Sequence, residues 1–203
     1  MNDPNIGGLP SKKTIFIGAE GGPSTGKSTL AAAVFSKLKK ELSTNSSIEF
    51  VQEYAKECIY SDWWSAMEKY QFHVIAEQAF RLMRLNGKVD YVVTDGSLLL
   101  NVPYLYGFPY EKTFSAFLLD LESQTEWWHY LLDPPFDFSY EKSNRRKDFE
   151  WSLRKHDEIE KYLRKLDVVC AAGSPEILEE KIVSRVLARE VMMHKRDALV
   201  LNK

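Results

Sequence analysis

The apolar positions fall into short blocks whose spacing alternates between the period of a strand and that of a helix. Thr14-Ile15-Phe16-Ile17 reads as a short buried strand. It runs through a glycine-rich stretch into a helix ending near Leu42, with Leu30, Val34 and Leu38 on one face. Ser43 to Ser47 break that helix, Ile48 to Val51 is a second strand, and the charged segment Gln52 to Glu57 follows. Ser65 to Leu85 has helical spacing, placing Phe72, Ile75, Ala79 and Leu82 on one side, and Asn86-Gly87 supplies the stop. Val89 to Thr94 is a third strand, running into Asp95-Gly96-Ser97. Glu126 to Leu132 is a fourth, bounded by Asp133-Pro134-Pro135. Ser152 to Leu166 returns to helical spacing and Asp167 to Ala172 is a fifth strand. Pro175 then opens a last helix reaching about Val191, standing as its first-turn residue.

Strands alternating with helices predict an α/β fold: a parallel sheet of about five strands with helices on both faces. Residues 1–13 read as a loose leader and 14–203 as one domain, a size that 203 residues suit. Residues 134–149 form the one long non-periodic segment, which marks a functional loop or small lid.

Composition narrows the classes little. Apolar residues make up 44% and charged residues 28%, an ordinary globular balance, and the net charge of −2 advertises no global attraction to nucleic acid. The first apolar run is far too short to span a bilayer, which takes about 20 residues, so a cytoplasmic protein with no membrane partner is expected. Cys58 and Cys170 lack His or Cys neighbours at ligand spacing and read as two buried free thiols.

The chemistry is concentrated after the first strand. Gly21-Gly22-Pro23-Ser24-Thr25-Gly26-Lys27-Ser28 satisfies G-x-x-x-x-G-K-[ST] in full, with Thr29 following, between a strand and a helix as the motif requires. Such a P-loop lets backbone N–H groups converge on phosphate oxygens at the positive end of a helix. Lys27 would then reach the β- and γ-phosphates of ATP, and Ser28 would offer its hydroxyl oxygen to Mg²⁺. Asp95, at the end of the third strand, is placed either to hold the metal's water shell or to cap the turn before Gly96. Glu53 follows the second strand and is either a proton acceptor for an attacking hydroxyl or an acid at a helix N-terminus. Six basic residues lie between Tyr140 and Lys155 against three acids. Among them Arg145 and Arg146 are candidates for stabilising a transferring phosphoryl group, while Arg154 and Lys155 read equally well as a solvated face. Trp63 and Trp64 are candidates to stack on a base, whereas core packing is the default for Phe72 and Tyr130. The four histidines form no ligand pattern.

The segments TIFIGAEGGPSTGKSTLAAAVFSKLKK, VQEYAKE and AEQAFRLMRLNGKVDYVVTDGSLLL together resemble a thymidylate-kinase-like group of P-loop proteins common in bacteriophages. They are also similar to the ribosylnicotinamide kinase domain of NAD-biosynthesis proteins. The phage group includes kinases of 5-hydroxymethyl-deoxyuridine in DNA, acting in thymidine hypermodification. That resemblance implies an ATP- and Mg²⁺-dependent kinase, in the host cytoplasm if phage-encoded. It implies nucleotide contacts at Gly21 to Thr29, a metal-side or catalytic role for Asp95, a substrate-side role for Glu53, and a basic lid at Arg145 and Arg146. Gly96 stands where thymidylate kinases carry an arginine, which argues against dTMP. The acceptor expected from the resemblance is hydroxymethylated DNA, with a free nucleoside or nucleotide, including nicotinamide riboside, as the alternative. An ATPase switch is the reading from a different class.

Overall fold

The computed structural model describes residues 13–44, 46–134 and 149–201. All but Lys13 of the expected leader, and all but the end residues of the expected lid, including Arg145 and Arg146, lie outside the described residues.

Five parallel strands form the sheet: β1 (Ile15–Glu20), β2 (Ile48–Val51), β3 (Tyr91–Thr94), β4 (Glu126–Leu132) and β5 (Val169–Gly173), in the order β2-β3-β1-β4-β5. The middle strand, β1, is buried along its whole length, which is why its sequence is an unbroken run rather than an alternation. Its side chains divide between two cores. Ile15, Ile17 and Ala19 pack beneath helices α1 (Lys27–Glu41) and α7 (Pro175–Leu201), with Leu30, Val34, Leu38, Leu178 and Ile182. Phe16 points to the other face, onto α4 (Gln71–Met83), α5 (Glu111–Ser123) and α6 (Phe149–Lys165), through Ile75, Leu82, Leu118, Ile159 and Leu163. The period-2 geometry of a strand thus sends one strand into both layers of helices.

The order carries a consequence for function. From β1 the chain crosses to β2, returns to β3 beside β1, and then moves to β4 on β1's opposite edge. This reversal at β1 opens a crevice at the strands' carboxyl ends, the position where open α/β sheets take their ligands.

Most expected elements are present within a few residues, with four differences. The helix expected over Ser65 to Leu85 is two, α3 (Trp64–Lys69) and α4, broken at Tyr70, whose φ of −125° and ψ of 50° leave the helical region. The charged segment after β2 is a helix, α2 (Tyr54–Tyr60). A 3₁₀ turn at Leu99–Tyr104 and helix α5 occupy a stretch where the apolar pattern defines no element. Helix α7 continues ten residues beyond the expected stop, to Leu201.

Candidate functional site

The P-loop joins β1 to α1 at the centre of the crevice. Lys27 is 7% exposed, and its ammonium donates to the Gly22 carbonyl at 2.9 Å. Burial pushes this lysine below its ordinary pKa, opposed by the nearby carboxylates of Glu53 and Asp95. Thr25 closes the loop by donating its hydroxyl to the same Gly22 carbonyl at 2.9 Å. Ser24 Oγ is buried without a hydrogen-bond partner among the described residues, and Ser24 itself sits at φ 65°. Thr29 faces solvent.

Helix α6 braces the loop from outside. His156 Nδ1 accepts from the Gly22 N–H at 3.1 Å, and Ser152 donates to the Pro23 carbonyl at 2.6 Å. This helix lies so close that a Cβ on residue 22 would stand 2.7 Å from His156 Cβ, so only glycine fits. Burial holds His156 below its ordinary pKa, which keeps the ring neutral and Nδ1 free to accept.

Across the crevice, Asp95 ends β3 with no exposed surface. One of its oxygens accepts the Glu53 N–H at 2.7 Å, and the other takes the Lys56 ammonium at 2.5 Å. Lys56 also donates to Ser28 Oγ. Burial works against ionising Asp95, but the charge of Lys56 and the hydrogen bonds from Lys56, Ser28 and the Glu53 backbone hold its carboxyl below the usual range. Asp95 therefore does more than cap a turn, since it ties β3, α1 and α2 together. Gly96 explains its own identity. A Cβ there would meet Glu53 Cβ at 2.9 Å, so the junction between β2 and α2 leaves no room for the arginine found in thymidylate kinases.

Gln78, buried on α4, fixes the same corner. It accepts the Tyr54 N–H at 2.8 Å and donates to the Gly96 carbonyl at 2.7 Å. Glu53, the residue preceding α2, thereby stands beside Asp95, with its charge felt at Lys27. Glu57 turns away to pair with Arg81, whose guanidinium covers the Tyr54 ring at 4.5 Å. Arg154 pairs with Glu150 at the surface, and Lys155 donates to the Pro103 carbonyl at 2.8 Å, so neither reaches the P-loop.

Beyond α2 lies a cavity of about 380 Å³ lined by Cys58, Trp63, Met67, Tyr70, Phe72 and His73. Cys58 is one helical turn from Tyr54, a separation of about 6 Å along the axis. His73 on the cavity wall contacts the Tyr54 hydroxyl at 3.1 Å. Trp63 is 54% exposed and Phe72 42%, so Phe72 is a wall of this cavity and not the core residue its helical spacing implied. Tyr130 is buried as expected. Trp127 stacks between Phe16 at 4.8 Å and His129 at 5.4 Å, and Trp128 carries Arg185 over its ring at 3.9 Å. The aromatic pair of β4 is therefore packing. The side chain of Trp64 lies outside the described residues. Both cysteines are free, but only Cys58 is buried and Cys170 is exposed.

Beneath the P-loop is a buried charge cluster that the sequence does not announce. His129 lies between Glu20 at 2.7 Å and Glu122 at 2.8 Å, and Ser97 donates to the second oxygen of Glu20 at 2.9 Å. Burial alone would lower the imidazole's pKa, but hydrogen bonds to Glu122 and Glu20 carry it up to about 10. Two of the four histidines thus support the P-loop, His156 by its lone pair and His129 by its charge, and a third, His73, lines the cavity.

The sequence profile of the AAA domain family matches residues 16–181, which takes in the P-loop, Asp95 and all of the five strands but Ile15. The chain belongs to the AAA domain family. Its five-stranded parallel sheet and P-loop are those of a P-loop NTPase, and the family's P-loop binds nucleotide. Two solved structures of NadR share the fold. One, described as a complex with NR, has a TM-score of 0.56 at 19% identity, the alignment covering 78% of this chain and 45% of that one. The other, with NAD and AMP-PNP, has a TM-score of 0.52 at 17% identity, covering 78% and 44%. The chain thus spans less than half the length of either, and at such identity the likeness is one of fold. No curated protein matches the chain. No helix among the described residues is long and apolar enough to cross a membrane.

Proposed function

We propose that this AAA domain is an ATP-dependent kinase that passes the γ-phosphoryl group to a hydroxyl of a free nucleoside-type acceptor. The observation that carries this reading is an aromatic cavity beside α2, the same short helix that flanks the P-loop corner. Lys27, Ser28, Asp95 and Glu53 share that corner of the crevice, and the pocket beside α2 is walled by rings. A hydrolytic switch has no use for a second, apolar pocket beside its phosphate site, whereas a kinase needs one for the acceptor.

On the donor side, the P-loop N–H groups and Lys27 would hold the phosphates, and the unpartnered Ser24 hydroxyl supplies a further contact for a phosphate oxygen. Ser28 Oγ and the Asp95 carboxylate already share a single cation, the Lys56 ammonium, and this convergence of two hard oxygens supports them as the Mg²⁺ ligands. Bound there, Mg²⁺ would supply charge neutralisation between the β- and γ-phosphates. On the acceptor side, the position of Glu53 beside Asp95 at the start of α2 supports it as the base that takes the hydroxyl proton. Trp63, Tyr70 and Phe72 offer faces and edges for a planar base.

A cavity of about 380 Å³ lies within the range of pockets for single small molecules, roughly 300–1,000 Å³. With a net charge of −2, this favours a free nucleoside or nucleotide over the DNA-borne hydroxymethyl-pyrimidine that the sequence resemblance implies. One experiment separates the two. ATP labelled at the γ-phosphate is incubated with free nucleosides, nucleoside monophosphates and hydroxymethylated DNA side by side. Label should pass to a small molecule and be blocked when no acceptor is present. Label on DNA alone would replace this acceptor with the polymer, and label in inorganic phosphate alone would refute the kinase reading.

A further inference from the structure

Two lysines and two carboxylates crowd the corner between P-loop and β3, and they are not equally held. Lys27 is sealed in, 7% exposed, with its ammonium on the Gly22 carbonyl at 2.9 Å. Lys56 lies on the short helix α2 with 25% of its side chain exposed, while its partner Asp95 has none. Its ammonium rests on the two oxygens, Ser28 Oγ and Asp95 Oδ2, that fit a divalent cation. The carboxylates that offset charge here are Asp95 and Glu53, the two whose field reaches Lys27 most strongly. A divalent cation and the Lys56 ammonium cannot sit on Ser28 Oγ and Asp95 Oδ2 at the same time, whatever charge an arriving nucleotide adds. One cation must therefore withdraw, and only Lys56 has a path to solvent and a flexible stem to follow it.

We propose that Lys56 is a positioning residue: its ammonium is an internal counter-ion that holds Ser28 and Asp95 in place, and a divalent cation exchanges with it when nucleotide loads. The exchange frees a positive side chain on the short helix that flanks the P-loop corner. The proposal rests on the nucleotide-site reading and is independent of the acceptor and of catalysis.

The test is metal binding to nucleotide-free protein, read from the electron paramagnetic resonance of free Mn²⁺. Lys56→Met keeps most of the stem and removes the charge, and should bind Mn²⁺ at least about tenfold more tightly than wild type. Lys56→Arg retains the charge and should stay near wild type. Mg²⁺ alone should raise the melting temperature of Lys56→Met, whose Asp95 has lost its counter-ion, and leave that of wild type unchanged. Wild-type protein, which needs no variant to fold, supplies a second reading. With AMP-PNP present, acetylation of Lys56 by a water-soluble amine reagent should be several-fold greater with Mg²⁺ than with EDTA. Equal Mn²⁺ affinity in wild type and Lys56→Met, or equal labelling with and without Mg²⁺, would overturn the exchange and leave Lys56 a structural ion pair. Binding of AMP-PNP is measured in the same samples. Its failure would refute the nucleotide site itself, and the nucleotide-free Mn²⁺ comparison would still decide the role of Lys56.

Discussion

Replacing His129 by leucine removes the cation between Glu20 and Glu122 and leaves two buried carboxylates facing an apolar side chain. Breaking a buried ion pair from one side typically costs about 3–5 kcal/mol. Glu20 keeps the Ser97 hydroxyl at 2.9 Å, and Glu122 is 8% exposed and already pushed upward in pKa by burial, so it can take a proton. Those two compensations place the loss at the low end, about 3 kcal/mol. For a chain of this size, each kcal/mol shifts the melting temperature by roughly 2–4 °C, so a fall of about 6–12 °C is expected at pH 7. The deficit should shrink as pH falls toward 5, because the stranded carboxylates become protonated. In wild type the sign is the opposite. A histidine raised from 6.5 to about 10 binds its proton more tightly in the folded state, so its contribution is complete below pH 6.5 and is lost as pH rises through about 10. Thermal denaturation followed by circular dichroism across pH 5–9 checks both. A melting temperature within 2 °C of wild type at pH 7, or a deficit that grows between pH 6.5 and 5, would refute the charge assignment.

Three further outcomes follow from the site. Lys27→Ala should fold normally and lose phosphoryl transfer by about a hundredfold or more, since it removes charge aimed at the transferring group; near wild-type turnover would sink the P-loop assignment. Trp63→Ala should raise the acceptor KM several-fold with little change in the KM for ATP, because Trp63 lines the cavity and not the P-loop; an equal effect on both would place it elsewhere. Nucleotide affinity should be flat above pH 7 and weaken as pH falls through the lowered pKa of His156, whose neutral Nδ1 accepts from Gly22 and whose stabilising share is lost on protonation. His156→Asn, with an amide oxygen near the Nδ1 position, should flatten that profile in a titration calorimetry series, and an unchanged profile would acquit His156.

The segments that declare themselves in the sequence are those in which structure and chemistry are local. β1, the P-loop and α1 are contiguous, so an apolar run, a glycine pattern and a helical face are all visible in one stretch. Asp95 is equally legible, as an acid ending a buried strand. Lys56 is not, because its partners Ser28 and Asp95 lie 28 and 39 residues away and its neighbours merely look charged. The His129 cluster draws on β1, β4, α5 and the loop after β3, a juxtaposition that only the strand order creates. Helix α5 escapes because the exposed apolar residues Phe117 and Leu119 stand beside its core-facing row of Phe114, Leu118 and Leu121 and blur the helical period. The break at Tyr70 has no glycine or proline to mark it, and helical spacing runs across it on both sides.

The claim that most needs measurement is that the terminal phosphoryl group goes to an acceptor and not to water. ³¹P NMR of a reaction with ATP, Mg²⁺ and the acceptor that takes up label follows both fates at once. ADP should accumulate in step with a new phosphomonoester resonance, with little inorganic phosphate and almost no ADP when the acceptor is omitted. ADP matched by inorganic phosphate, at a rate indifferent to acceptor, would contradict the account and make this P-loop that of an ATPase.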